Sequence, residues 1–343
     1  MPAHPSAFIG PDPVQGLRWH ALEAERSGQL HPHQLHLIYE HGWFNLFVPK
    51  AYGGLQTPLP EALRLLEGLA WADGSSAWVV TLCSGAGWFS GFLEPGVCAQ
   101  IWTSPQTCLA GSGAATGVAK RVEGGWEITG QWGYASGAPH ASFFTFNATV
   151  EQQGRQLRHE NGDPVLLTAW VPRHDVALID TWDGMGMRAT ASHAFALQQK
   201  LVTNAQCFTI DPEYATHDDI VYLFPFLQLA QATLVMNLSG MALRFLDLAD
   251  TAKTGSARRL VNDARTDVFA LVEKGWYQLQ QRKVIQPDVL QGISAVCRRL
   301  AQVAREQVND IFPEMGMQAA SRHTEINRVW RNFQTAGQHQ LFR

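Results

Sequence analysis

The residues best suited to chemistry lie in one short segment, where two aromatic side chains and a hydroxyl recur at every second position. Trp132, Tyr134 and Ser136 have the spacing of a β-strand, so we expect their side chains on one face of it. Such a face could stack a planar heterocycle, and the hydroxyl could hydrogen-bond a ring nitrogen whose protonation changes with redox state, as in flavins. A half-buried structural strand with an exposed serine fits the same spacing, so the pattern alone leaves both interpretations open.

Three other patterns are weaker candidates for chemistry. His31, His33 and His36 cluster at the start of a predicted helix, but no cysteine accompanies them, and we expect no metal site there. The run Gly111–Gly117 resembles a glycine-rich dinucleotide loop, yet strand-like alternation follows it, so we interpret it as a turn between strands. The sequence contains no Gly-x-Ser-x-Gly motif, so the nucleophile turn of an α/β-hydrolase is missing.

Hydrophobic spacing divides the chain into three blocks. Over residues 17–91 apolar residues recur at every third or fourth position, which predicts helices. Over residues 106–202 apolar and polar residues alternate, which predicts about six to eight strands, including a hairpin that turns at Glu123–Gly125. After Pro212 the helical spacing returns and predicts four long helices, near Tyr222–Ala252, Ala257–Lys283, Asp288–Ile311 and Gln318–Leu341.

These blocks predict an α+β fold. We expect an N-terminal helical domain over residues 1–105, a central β domain over residues 106–211 and a C-terminal four-helix bundle over residues 212–343. Because strands and helices do not alternate along the chain, the order of elements argues against a doubly wound nucleotide-binding fold.

Composition narrows the functional classes. Of the 343 residues 46% are apolar and 16% charged, which indicates a globular chain with a large core. The formal net charge of −4, without blocks of like charge, argues against binding to nucleic acid. We expect neither a membrane span, which needs about 20 apolar residues, nor a signal peptide. The five isolated cysteines fit a reducing compartment, so the cytoplasm is the expected location.

Several segments together resemble the acyl-CoA dehydrogenase superfamily over most of the chain. They are closest to the branch that holds the oxygenase components of two-component flavin monooxygenases, such as 4-hydroxyphenylacetate 3-monooxygenase. The segments that carry the resemblance are HGWFNLFVPKAYGG at His41–Gly54, ADGSSAW at Ala72–Trp78, GWEITGQWGYASGAPHA at Gly125–Ala141, DTWDGMGMRAT at Asp180–Thr190 and RVWRNFQTAGQH at Arg328–His339.

The resemblance implies the same three domains and a flavin, FAD or reduced FMN, held between the β domain and the bundle. It also implies a homo-oligomer, a dimer or tetramer, in which a neighbouring subunit completes the site. In relatives, the loop that contains Arg188 and Thr190 often meets cofactor phosphate or the subunit interface. The complete set of predicted cofactor-binding residues is Ser112, Gly117, Trp132, Tyr134, Ala135, Ser136, Arg188 and Thr190.

The end of the last predicted helix bears on the type of reaction. An acyl-CoA dehydrogenase needs a carboxylate base for the α-proton. Many relatives carry it in a Tyr-Glu-Gly-Thr turn, where this chain has Ala336–His339. A histidine suits removal of a proton from a phenol, because its pKa lies near neutral pH. The resemblance therefore favours a hydroxylase with His339 and Ser136 as catalytic residues.

Three functions stay open from the sequence. The first is an oxygenase component that acts on a small aromatic or hydrophobic substrate and is supplied by a separate flavin reductase. The second is an acyl-CoA dehydrogenase whose base lies elsewhere. The third is a flavin-less binding or assembly protein of the same fold, suggested by the end of the chain only four residues after His339.

Overall fold

The N-terminal part of the chain is helical, as predicted, in a computed structural model that describes residues 2–282 and 284–342. Short 3₁₀ turns connect its α-helices, and prolines occupy the first turn of several of them, where the missing N–H leaves no bond unmade. The α-helices of this part are α1 (Pro11–Trp19), α2 (Ala21–Ser27), α3 (Pro32–Glu40), α4 (Leu59–Ala72), α5 (Gly74–Gly87) and α6 (Pro95–Ile101).

Helix α5 is buried along almost its whole length and begins at a buried carboxylate. The Asp73 side chain accepts hydrogen bonds from the Ser76 backbone N–H at 2.9 Å and from the Ser76 hydroxyl at 2.7 Å. Burial raises the pKa of Asp73 above its ordinary value, because desolvation outweighs these hydrogen bonds and the attraction of Arg328. Asp73 therefore caps the helix at an electrostatic cost.

The central part forms one mixed sheet with the strand order β6-β7-β2-β1-β3-β5-β8, and β4 pairs with β3. The predicted hairpin is confirmed, since Val122 pairs with Gly125 across an antiparallel ladder between the first two strands. The first and third strands run parallel. The strands are β1 (Leu109–Val122), β2 (Gly125–Ala135), β3 (Phe143–Gln152), β4 (Arg155–Gln156), β5 (Leu166–Pro172), β6 (Ala177–Ile179), β7 (His193–Thr203) and β8 (Cys207–Phe208).

The glycine-rich run Gly111–Gly117 lies within β1, so its interpretation as a turn was wrong. The strand bulges there, because Ser112 pairs with Phe146 of β3 and Gly117 pairs with Ala148. The intervening residues of β1 face a single position of β3. Such a bulge exposes backbone groups and is common beside active sites.

The C-terminal part is a helical bundle whose last predicted helix is shorter than expected. The predicted helix Gln318–Leu341 is broken near Ser321, because Thr324 starts a new helix by accepting a hydrogen bond from the Asn327 backbone N–H. This new helix ends at Ala336. The helices are α7 (Ile220–Leu223), α8 (Phe226–Leu248), α9 (Thr254–Arg282), α10 (Pro287–Ile311), α11 (Gly316–Ala320) and α12 (Glu325–Ala336). Among the described residues α8 alone is long and apolar enough to cross a bilayer, but 78% of its most apolar window is buried inside the protein.

A buried ion pair joins the N-terminal helices to the bundle. Arg265 of α9 donates two hydrogen bonds, at 2.5 and 2.6 Å, to the two carboxylate oxygens of Glu67 on α4, and both side chains are fully buried. The hydroxyl of Ser239 on α8 adds a third hydrogen bond to Glu67. A bidentate pair of this kind fixes the relative orientation of the three helices.

The change from helix to strand falls between Ile101 and Leu109, and the return to helix falls between Phe208 and Ile220. The observed order of elements is thus the predicted α+β order. The division into domains at residues 105 and 211 stays a prediction.

Replacement of the cap of α5 tests the role of Asp73. We expect Asp73→Ala to lower the free energy of unfolding by about 1 kcal/mol, because the Ser76 backbone N–H and hydroxyl lose their acceptor. Asp73→Asn keeps an oxygen at the same place and removes the buried charge, so we expect a smaller loss. Urea unfolding of both variants at pH 7 measures the difference. An equal loss in both would show that the charge, and not the cap, matters.

Candidate functional site

A cavity of about 150 Å³ lies between α5, the sheet and α8. Thr81 of α5 and Phe89 in the turn that follows α5 line one side, and Thr233 lines it from α8. The sheet contributes Ser112, beside the bulge of β1, and Asn147 of β3. Among the described residues the lining contains hydroxyls, an amide and apolar groups but no acidic or basic side chain, so the cavity suits a neutral, largely apolar ligand.

The turn after β2 places Ser136 in a chain of buried hydroxyls. Ser136 Oγ lies 2.8 Å from Ser192 Oγ, which lies 2.7 Å from Thr190 Oγ1. Thr190 donates to the Met187 carbonyl at 2.8 Å. Because a carbonyl only accepts, each hydroxyl in the chain donates toward Met187. Ser136 therefore donates its hydroxyl hydrogen to Ser192, and the lone pairs of its oxygen remain able to accept hydrogen bonds.

The predicted common face of Trp132, Tyr134 and Ser136 was wrong. Trp132 is fully buried, donates from Nε1 to the Asn147 carbonyl at 2.8 Å and lies inside the core of the sheet, where it cannot stack on a cofactor. Tyr134 is 77% exposed, whereas Ser136 is only 4% exposed. The reason is an irregular end of β2, where the pairing with β7 shifts and Tyr134 adopts a φ of +62°.

This backbone conformation sets Tyr134 apart. A tyrosine at positive φ is strained, and such strain persists where surrounding structure enforces it, often at functional sites. The exposed ring meets Trp182 edge to face, with the ring centroids 6.3 Å apart. Tyr134 thus presents a flat aromatic surface next to the buried turn at Ser136.

The other residues of the predicted cofactor set fall in different surroundings. Ala135 is fully buried, and a Cβ at Gly117 would lie 2.2 Å from the Trp132 ring, so packing explains that glycine. Thr190 belongs to the buried hydroxyl chain. Arg188 is partly exposed and pairs with Asp183 at 2.7 Å. The structure brings Tyr134, Ser136 and Thr190 to one end of the sheet and places Ser112 at the cavity.

The sequence predicted His339 on the last helix. In the structure His339 lies beyond the end of α12, which is Ala336. Its ring meets Trp78 of α5 edge to face, with the centroids 5.9 Å apart, and its Nδ1 accepts the Leu341 N–H at 3.3 Å. Burial lowers the pKa of His339 below its ordinary value, so the ring is neutral at pH 7. Trp78 precedes the cavity residue Thr81 by one helical turn, about 5 Å.

Helix α12 is attached to the loop between β6 and β7. Asn332 Oδ1 accepts the Met187 N–H at 2.7 Å, and Thr335 accepts the Gly186 N–H at 3.0 Å. Arg331 donates to the Met185 carbonyl at 3.0 Å and pairs with Glu25 of α2. These bonds connect the element that precedes His339 to the loop that carries the hydroxyl chain.

These surfaces fit a planar redox cofactor such as a flavin. Tyr134 offers an exposed ring, and the bulge of β1 offers open backbone, since a Cβ at Gly113 would meet nothing within 4 Å. Sequence reasoning missed Ser192 and Asn147, which are connected to the site through tertiary hydrogen bonds. Ser136, the distant partner of Ser192, and the partners of Asn147 lie far away along the chain, so no local pattern marks either residue.

The N-terminal histidine cluster has a structural explanation. The ligand atoms of His20, Glu23 and His31 lie within 4.8 Å of one another. His31 already uses Nδ1 to accept the His33 N–H as the cap of α3, and its Nε2 faces Glu23 at 3.4 Å. Both ring nitrogens of His31 therefore have partners within the protein, which explains the position of this ring.

Two models of one protein family match the two helical parts of the chain. Residues 15–93 match the acyl-CoA dehydrogenase N-terminal domain, and residues 246–343 match the acyl-CoA dehydrogenase C-terminal domain.

Characterised proteins resemble the chain over most of its length. An indole-3-acetate monooxygenase of Pseudomonas putida is 25% identical over 87% of this chain and 80% of its own. The oxygenase subunit HsaA of a flavin-dependent monooxygenase from Rhodococcus jostii is 23% identical over 92% of this chain and 89% of its own. The crystal structure of XiaF from Streptomyces sp., in complex with FADH2 and glycerol, has a TM-score of 0.86 at 20% identity and covers 98% of this chain and 93% of that one.

The close packing of the turn after Ser136 on α5 is testable at Gly137. This glycine has a φ of +76°, and a Cβ there would lie 2.9 Å from Cys83 Sγ and 3.0 Å from Val79 Cγ1. We expect Gly137→Ala to lower the free energy of unfolding by about 1–2 kcal/mol from the left-handed backbone alone. Gly124→Ala is the matched control, because Gly124 has a φ of +83° as well and a Cβ there would meet nothing within 4 Å. Equal losses in the two variants on urea unfolding would contradict this packing.

Proposed function

Because the chain belongs to the acyl-CoA dehydrogenase superfamily, we propose that it is the oxygenase component of a two-component flavin-dependent monooxygenase. Its substrate is a small aromatic molecule. The relatives named above include an oxygenase subunit and an enzyme for an indole compound, which supports this branch of the superfamily over the dehydrogenases.

The observation that carries the proposal is the neutral cavity. A dehydrogenase that removes an α-proton needs a carboxylate within reach of the substrate. Among the described residues that line the cavity none is acidic, and the end of α12 carries His339 in place of a carboxylate. A neutral imidazole such as that of His339 suits proton transfer with a phenol better than with a thioester.

Reduced FAD or FMN is the proposed cofactor. It would supply the two electrons for splitting O2, so that one oxygen atom enters the substrate and the other leaves as water. Tyr134 would lie against the ring system, and Arg188, which pairs with Asp183 in this structure, would offer a positive charge to the cofactor phosphate. The free lone pair of Ser136 accepts a hydrogen bond from an N–H group, which the reduced flavin ring carries at N5 and the oxidised ring does not.

His339 is the proposed proton acceptor of the reaction. Its Nδ1 is the nitrogen able to take a proton, since the hydrogen bond from Leu341 places the ring hydrogen on Nε2. That hydrogen bond is long, at 3.3 Å, and therefore weak. Its loss when Nδ1 takes a proton costs little free energy. Both residues contact α5. Ser136 contacts Cys83 from the turn after β2, and His339 contacts Trp78 from the segment after α12.

A separate flavin reductase is the proposed partner, because the oxygenase receives its flavin already reduced. We propose a homo-oligomer in which a second copy covers the exposed face around Tyr134 and Met185. All five cysteines are free thiols, and four of them are buried, which supports a reducing compartment such as the cytoplasm.

Anaerobic titration and isotope labelling test the proposed function. We expect the protein to bind reduced FAD or FMN and, when the complex is mixed with ¹⁸O2 and phenol, to yield a product that carries one ¹⁸O atom by mass spectrometry. The reductase is replaced by chemical reduction of the flavin. Bleaching of bound oxidised flavin by an acyl-CoA would support the dehydrogenase instead. Failure to bind either flavin in either redox state would reject both enzymes.

Replacement of His339 tests the proton acceptor. In the wild-type protein we expect hydroxylation to fall as pH decreases through the pKa of His339, which burial holds below 6.5, because the protonated ring cannot accept. His339→Asn should reduce the rate by about 100-fold or more and abolish this fall, while reduced-flavin binding stays unchanged. A variant that keeps the wild-type pH profile would exclude His339 from this role.

A further inference from the structure

Gly85 lies in the last turn of α5, and packing does not explain this glycine. At Gly74 of the same helix a Cβ would lie 2.4 Å from Met241 Sδ. At Gly87 a Cβ would lie 3.1 Å from Val48 Cγ2. A Cβ at Gly85 would meet no atom of the described chain within 4 Å, and Gly85 lacks the left-handed φ of a glycine that ends a helix. Because glycine lowers helix stability relative to alanine, its presence here calls for a functional reason.

The space beside Gly85 is the cavity. Leu82 and Gly85 are the residues of α5 that are not buried, and both line the cavity. Thr81 lies about one helical turn before Gly85 and Phe89 about one turn after it, and these two residues also line the cavity. Gly85 is therefore in the middle of the wall that this segment forms. At this point the wall is bare backbone that a ligand can reach.

Helix α8 runs antiparallel to this wall and carries a small residue across from its middle. Thr81 accepts a hydrogen bond from Asn237 Nδ2 at 2.7 Å. Phe89, later in the chain, contacts Phe226 at the start of α8, with the ring centroids 5.4 Å apart. Ala230 lies four residues after Phe226, as the glycine lies four residues before Phe89, and Ala230 also lines the cavity. The two helices therefore bring small residues to the middle of the cavity and phenylalanines to one end of it.

Bare helix backbone favours a flat ligand. A side chain at this position would hold any ligand away from the peptide groups by at least the size of a methyl group. An aromatic ring carries no atoms above its plane, so one face of it can lie against the peptide groups at van der Waals distance. The axial hydrogens of a saturated ring keep its carbon atoms further away, and dispersion attraction decreases steeply with distance.

We propose that Gly85 is a specificity-determining residue, which selects flat aromatic substrates because one face of the substrate ring contacts the backbone of α5 there. The proposal rests on the monooxygenase function and defines how its substrate binds. Gly85 takes no part in the proposed flavin contacts or in the proposed proton transfer. The loss of helix stability at this glycine persists because substrate binding needs the open backbone, as is common where stability and function conflict.

Binding of two matched probes tests the proposal directly. Anaerobic isothermal titration of the wild-type protein, alone and with reduced FAD, compares phenol with cyclohexanol, which carries the same hydroxyl on a puckered, saturated ring. We expect phenol to bind about fivefold more tightly, as contact of all its ring atoms with the backbone predicts. Equal affinities for the two probes, or no binding of phenol under either condition, would overturn the proposal.

Substitutions at Gly85 separate substrate binding from folding. Gly85→Ala should leave the midpoint of urea unfolding unchanged or higher, since alanine favours a helix and its methyl group meets no atom of the described chain. The same methyl group should weaken phenol binding by about tenfold and remove the preference over cyclohexanol. Gly85→Leu, which places a larger side chain in the cavity, should abolish detectable binding of both probes.

Gly96→Ala of α6 is the matched control. A Cβ at Gly96 would also meet no described atom within 4 Å, but Gly96 is not among the described residues that line the cavity, so phenol affinity should stay at the wild-type value. Wild-type affinity in Gly85→Ala, or the same loss in Gly96→Ala, would overturn the proposal. A lower urea midpoint in Gly85→Ala would also overturn it, because the space would then serve packing.

A separate titration with reduced flavin distinguishes this proposal from the proposed function. Reduced-flavin binding together with equal phenol affinities in the wild-type protein and Gly85→Ala would reject the role of Gly85 and leave the monooxygenase intact. Phenol binding that Gly85→Ala weakens, in a protein that binds no flavin, would support the role of Gly85 and reject the monooxygenase.

Discussion

The burial of α5 is the constraint around which the candidate site is organised. Its N-terminus is held by a carboxylate that is itself desolvated, and its sides contact both the sheet and the bundle. Cys83 donates to the Ser136 carbonyl at 3.6 Å, Trp78 contacts His339, and Thr81 lines the cavity. A displacement of this one helix would therefore move the hydroxyl turn, the histidine and the cavity relative to one another.

The last helix depends on the sheet for its position. Asn332 and Thr335 accept backbone N–H groups of the loop before β7, and Arg331 reaches both that loop and α2. The same loop ends the hydroxyl chain at Met187. His339 and Ser136 are therefore positioned through shared hydrogen bonds, although about 200 residues separate them in the sequence.

Periodicity predicted the elements well and their irregularities poorly. Alternation located the β1–β2 hairpin, and helical spacing located α8, α9 and α10, because each pattern follows from burial of one face. The same alternation misplaced Trp132 and Tyr134, since a positive φ reverses the direction of a side chain without a mark in the residue types.

The proposed function depends on a reduced flavin ring bound beside the turn after β2. The most direct measurement is a crystal structure of the protein with reduced FAD or FMN. We expect the ring against Tyr134, with an N–H group of the ring within hydrogen-bond distance of Ser136 Oγ. A flavin bound elsewhere on the protein, or a cleft closed by its own side chains in the complex, would contradict it.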